Sequence, residues 1–220
     1  MDDRFAHLHY VAVDGPIGVG KTTFCKILAD RIGGHLVLEE AAKNPFLKDF
    51  YRDRRRYALQ TQFFFLLSRY QQQRELVAFD LFKKRIVADY TFEKDLLFAS
   101  ANLTEEELAL YKQVADLLKK NLPRPDLAVF LTASVDVLLA RIAKRNVTYE
   151  RNFDAEYLKQ VLDAYNYHFF HYNRTPLLVI KTDNLDFVEN SQHLEEIFNQ
   201  IAEMRQGTRY FTRGDQELGI

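Results

Sequence analysis

The residues best equipped for chemistry lie between Val11 and Phe24, in the run VAVDGPIGVGKTTF. A short apolar segment, Val11-Ala12-Val13, ends in Asp14; Gly15 follows, and Gly20-Lys21-Thr22 opens a helical pattern. This is the GxxxxGKT spacing, set between a strand and a helix, that takes nucleotide phosphates. Gly15, Gly18 and Gly20 let the backbone take positive φ and approach an anion. The amides of this stretch, those of Val19 and Thr23 included, form a nest at the start of the helix that attracts phosphate. Lys21 supplies a mobile positive charge for the β- and γ-phosphates, and Thr22 a hydroxyl for Mg²⁺. A glycine-rich turn with no ligand is the plain alternative, but strand, loop and helix all agree. The pattern predicts a bound nucleoside triphosphate.

Two further groups could act on that phosphate. Glu39 and Glu40 close one apolar run, and Asp89 closes another. An acid at a strand end beside the loop can accept a proton from an attacking hydroxyl or hold Mg²⁺. Glu40 is expected to point away, since neighbouring strand residues face opposite sides. Arg141 and Arg145 are four apart and share a helix face, with Glu150-Arg151 beyond them. Guanidinium groups carried towards a transferring phosphoryl group would form a lid over about 141–153. The basic run 52–56 reads as a solvated helix start. His7 with His9, and His168 with His171, lack ligand-spaced partners, so metal binding there is not expected.

The elements that must hold these residues are legible from periodicity. A helix is predicted over Lys21–Ile32, ended by Gly33-Gly34. Apolar runs at 35–38, 85–89, 126–131 and 177–181 join the first as five short strands. Asn44-Pro45 reads as a cap with proline at the first helical position. A long helix spans about Tyr57 to Phe82. Its segment Phe63 to Leu67 is apolar on every face, which suits complete burial or a subunit interface. Thr104 with Glu107 forms a capping box for a helix to about Asn121. Further helices run from Ser134 to Arg145, from Asp154 to Tyr172, and through Leu194 to Met204. After Gly207 the periodicity vanishes, so 207–220 is expected to be a mobile tail. Strands alternating with helices predict one α/β domain over 1–220, with a parallel sheet covered on both faces.

Composition narrows the classes. Thirty Lys plus Arg stand against 31 Asp plus Glu, for a net charge of −1, so no basic excess argues for nucleic acid. No apolar run is long enough to cross a membrane. A single cysteine, Cys25, cannot staple a secreted fold, and the cytoplasm is the expected location.

Together these segments resemble the deoxynucleoside kinase family. GPIGVGKTT, EEAAKNPFLKDFY, QFFFLLSR, ADYTFEKD and RIAKRNVTYE follow the family's order and spacing over about Tyr10 to Ile201. The resemblance implies the P-loop kinase fold, ATP and Mg²⁺ as cofactors, and a homodimer. It implies that Glu39 is the base acting on the deoxyribose 5′-hydroxyl, with Lys21, Arg141 and Arg145 neutralising charge. Gln62 and Arg69 would read the nucleobase, with Asp95 paired to that arginine. Tyr51 and Glu150 would hold the 3′-hydroxyl, and Thr22 and Asp89 the metal. Purine deoxynucleosides are expected first, deoxycytidine second and thymidine last.

The sequence departs from the family in three places. Tyr90-Thr91 follows Asp89 where an arginine is usual, Glu40 stands where proline is common, and Val147 replaces a frequent lid arginine. A nucleoside monophosphate kinase is the alternative enzyme, but it would want extra basic residues for the acceptor phosphate. A GTP-hydrolysing switch would want an NKxD motif, and Lys181-Thr182-Asp183 has the wrong form.

Overall fold

Strand β1 (Tyr10–Asp14) is buried at all five positions, because helices cover both faces of the sheet around it. The computed structural model describes residues 3–78, 85–120, 122–147 and 154–214. Beside β1 lie β2 (His35–Val37), β3 (Ile86–Ala88), β4 (Leu127–Thr132), β5 (Leu177–Lys181) and β6 (Thr208–Thr212). Their order is β2-β3-β1-β4-β5-β6, and every pairing is parallel.

Side chains alternate across the strands, so each strand feeds two cores. Val11, Val13, Val87, Val129 and Leu131 pack with α1 (Lys21–Ile32), α6 (Val135–Arg145) and α8 (Ser191–Glu203). Ala12, Ala88, Ala128 and Phe130 point the other way, towards α3 (Arg54–Ala78), α4 (Lys94–Asn102) and α7 (Ala155–Phe170). Register places Ala12 opposite both Ala88 and Ala128. Further along that face, Phe130 stacks on Phe169 with ring centres 4.3 Å apart. Two more helices, α2 (Leu47–Arg52) and α5 (Glu105–Lys119), pack around α3.

Several expectations need correction. The sheet has six strands, not five: Thr208–Thr212 pairs in parallel with β5, so this part of the expected tail is an ordered edge strand. Its pattern, exposed and half-buried in alternation, gave no continuous apolar run to read. Asn44 is not the N-cap: the helix begins at Leu47 with Phe46 at the cap, and the Asn44 Oδ1 accepts from the Phe46 amide at 3.0 Å in the turn before it. The long helix starts three residues earlier than expected, at Arg54, and its expected end at Phe82 lies outside the described residues. It is not buried all round, for Leu66 is fully buried while Leu67 is 52% exposed. Helix α4 was not foreseen. The lid residues 148–153, Asn121 and the tail beyond 214 also lie outside the described residues.

Candidate active site

The loop between β1 and α1 turns through Gly15 (φ 151°), Gly18 (φ 86°) and Gly20 (φ 100°), all in a region that side chains disfavour. Space demands glycine as well. A Cβ on Gly15 would lie 2.2 Å from the Leu131 carbonyl oxygen, and one on Gly18 would lie 2.9 Å from that of Leu138. The loop is thus seated against the end of β4 and the first turn of α6. Lys21 folds back over it, its Nζ donating to the carbonyls of Gly15 (2.7 Å) and Pro16 (2.9 Å). Burial, helped by the nearby charge of Lys94, lowers the Lys21 ammonium to about 8.

Asp14 pins the start of the loop. Its Oδ1 accepts from the Gly15 amide (2.8 Å) and the Tyr165 hydroxyl (3.0 Å). Its Oδ2 accepts from the amide (3.1 Å) and hydroxyl (2.6 Å) of Thr91. One fully buried carboxylate thereby ties the loop to the segment after β3 and to α7. The sequence reading assigned Asp14 no such part.

The strand-end acids meet beside the loop. Asp89 Oδ1 accepts from the Glu39 amide (2.7 Å), and Asp89 Oδ2 from the Thr22 hydroxyl (3.0 Å). Burial raises the Asp89 carboxyl, against the pull of Lys94. Glu39 Oε2 accepts from Lys94 Nζ at 2.6 Å, while Glu39 Oε1 pairs with the Arg69 guanidinium. Burial alone would raise the Glu39 carboxyl, but Arg69 and Lys94 outweigh it and hold it at about 2. Glu40 turns outward to pair with Lys43 at 2.6 Å.

A cleft of about 1110 Å³ joins these groups to a polar chamber between α2, α3 and α4. Tyr51, Gln62, Phe65, Arg69 and Phe98 line that end. Among the described residues the Gln62 Oε1 is buried without a hydrogen-bond partner, so the chamber keeps an acceptor for a ligand to satisfy. Asp95 pairs with Arg69 as expected, yet it does not line the cleft. Its carboxyl is pushed up to about 7 by burial, with Arg69 opposing.

The remaining positions divide. Arg141 lies in the cleft wall, but its guanidinium donates to the Thr182 hydroxyl (2.9 Å) and carbonyl (2.8 Å), fastening α6 to the end of β5. Arg145 lines the cleft from an exposed position one turn on. Glu150 lies outside the described residues. Tyr90, where the family's arginine was missed, turns into the core and donates to Gln72 Oε1 at 2.9 Å. Lys94 was overlooked entirely. Its helix carries no capping signal to announce it, for Glu93 at the N-cap makes no side-chain cap bond.

The arrangement puts a carboxylate held between two cations beside the glycine loop, with the chamber of Gln62 and Arg69 behind. The family model described as deoxynucleoside kinase matches residues 11–206. A deoxyguanosine kinase of Bacillus subtilis strain 168 is 32% identical over 202 residues, covering 89% of this chain and 97% of the relative. A deoxyadenosine kinase of Lactobacillus acidophilus is 28% identical over 210 residues, covering 89% and 96%. In fold the chain is similar to a deoxyadenosine kinase from M. mycoides solved with bound dATP, with a TM-score of 0.76 at 22% identity. That likeness covers 87% of this chain and 98% of that one. With the family model spanning nearly all of it, the chain belongs to the deoxynucleoside kinase family and phosphorylates deoxynucleosides from a nucleoside triphosphate donor.

Proposed function

We propose that the protein moves the γ-phosphoryl group of Mg²⁺–ATP to the 5′-hydroxyl of a purine deoxynucleoside, with Glu39 as the general base. The observation that carries this is the place of Glu39 in the cleft, between the loop that holds Lys21 and the chamber of Gln62 and Arg69. A sugar bridging those two regions would bring its 5′-oxygen to the carboxylate. The proton passes to Glu39, the 5′-oxygen bonds to the γ-phosphorus, and the bond to the bridging oxygen breaks to release ADP. Lys21, Arg141 and Arg145 offset the charge that spreads over the transferring oxygens. Thr22 and Asp89, already hydrogen-bonded to each other, suit Mg²⁺, which takes few protein ligands beside substrate phosphates and neutralises the β- and γ-oxygens. Tyr51 and Glu150 would hold the 3′-hydroxyl.

The chamber supports a purine preference. Gln62 offers a donor and an acceptor to a base edge, and Arg69 donates to a purine N7 or O6. Thymine has neither N7 nor an exocyclic amine, so it would leave buried polar groups unmatched. The names of the relatives, a deoxyguanosine and a deoxyadenosine kinase, point the same way. Deoxycytidine ranks second and thymidine last. Among the described residues no helix is long and apolar enough to cross a membrane, and the lone cysteine, Cys25, is buried. We place the activity in the cytoplasm, in a homodimer built on one domain. Steady-state kcat/KM for the four deoxynucleosides and their monophosphates, with products identified by mass, tests the reading. Thymidine equal to the best purine would refute the preference, and a monophosphate as the best acceptor would refute the assignment.

A further inference from the structure

Lysine is almost never fully buried unless its charge is paired, yet Lys94 is 5% exposed on the first turn of α4. Its ammonium reaches the cleft and donates to Glu39 Oε2 at 2.6 Å. Beneath it the Phe98 ring lies 5.8 Å away, which favours a cation at that spot. The same charge acts on Lys21, Asp89 and Asp95 as well as on Glu39. The ammonium therefore stands in the cleft between the Glu39 carboxylate and the Phe98 ring.

The two cations on Glu39 are not equivalent. Arg69 is shared with Asp95, and its guanidinium lies against the rings of Phe65 and Tyr90, at 5.1 and 5.7 Å, on the nucleobase side. An arriving 5′-hydroxyl needs a Glu39 oxygen, and Arg69 can yield Oε1 while keeping Asp95. Lys94 has Glu39 as its one ion-pair partner among the described residues, so it stays on Oε2.

We propose that Lys94 is a positioning residue for phosphoryl transfer, holding the Glu39 carboxylate in place and separating its charge from the incoming triphosphate. The proposal rests on Glu39 being the base. When the 5′-proton moves to Glu39 Oε1, the carboxylate becomes neutral and Lys94 loses its anion. No atom is transferred to or from Lys94.

Three variants test this in the whole enzyme. Lys94→Met keeps length and suits a buried site but removes the charge. We expect its kcat to fall about 100-fold while the nucleoside KM moves less than about threefold, as for a group acting only in the transition state. Lys94→Arg should recover to within about tenfold of wild type, since it restores a cation at the same place. Lys94→Met combined with Glu39→Gln should be no slower than Glu39→Gln alone, because both act through one carboxylate. A Lys94→Met enzyme within about threefold of wild-type kcat, beside a slow Glu39→Gln enzyme, overturns the role of Lys94 and leaves the base intact. A double variant whose loss is the product of the two single losses also overturns it. A Glu39→Gln enzyme with wild-type kcat instead removes the base on which the proposal stands. Should Met at position 94 prevent folding, judged by thermal melting, Lys94→Gln carries the same comparisons.

Discussion

Arg69 and Asp95 form their ion pair behind the cleft wall, with Asp95 only 1% exposed and Arg69 alone facing the chamber. On the proposed function, Asp95 would act on a bound base through the guanidinium, by fixing where it points. Removing the carboxylate's charge would release Arg69 towards its second partner, Glu39. Asp95→Asn is expected to raise the KM for purine deoxynucleosides about tenfold, with a smaller change in kcat. Unchanged KM values across the four deoxynucleosides would show that Arg69 needs no such anchor.

Glu39→Gln preserves shape and hydrogen bonding but removes basicity. Turnover should fall about 100-fold or more with little change in nucleoside KM. Glu40→Gln is the control, since Glu40 turns away to Lys43. If the Glu40 variant were the slow one and the Glu39 variant normal, the base has been misassigned.

Lys21 sits buried with its ammonium lowered to about 8, so above pH 8 much of it is neutral. Triphosphate brings negative charge beside it and favours the protonated form, raising its pKa. Binding of ATP should thus take up close to one proton at pH 9 and almost none at pH 7. Titration calorimetry in buffers of different ionisation enthalpy reads this directly, and equal uptake at both pH values would contradict it. Lys21→Ala should abolish both the proton uptake and the transfer while the protein still folds, because the ammonium makes hydrogen bonds only to loop carbonyls among the described residues.

Leu67 on α3 and Leu110 and Leu117 on α5 are 52%, 51% and 69% exposed. Leu110 and Leu117, seven apart, share one face of α5, and α5 packs beside α3. Exposed leucines gathered on adjoining helices suit a covered surface. Light scattering at micromolar concentration should give twice the 25.9 kDa chain mass, and Leu117→Glu should shift it towards one chain. A wild-type mass of one chain would refute the dimer.

The loop after β1, the helix that follows and the acids at two strand ends were legible in the residue order, because each depends on local geometry. Glycine spacing dictates a turn with positive φ, as Gly15, Gly18 and Gly20 show, and the apolar runs ending at Asp14 and Asp89 mark buried parallel strands, whereas the run before Glu39 is an edge strand with His35 exposed. What lay beyond reach was decided by contacts between distant segments. β6 is half-exposed by pattern and is a strand because β5 offers it a ladder of hydrogen bonds. Lys94 reaches Glu39 from 55 positions away, and Arg141 is fastened to Thr182 rather than left free on a lid. Tyr90 fills the core beside Tyr10 and Leu76, and Lys94 pairs with Glu39. Local order settled the glycine turn and the helix that follows it, since backbone sterics act within a few residues. The partners of each buried charge were settled only when packing closed the cleft, since a buried charge must find its counter-charge wherever the chain brings one.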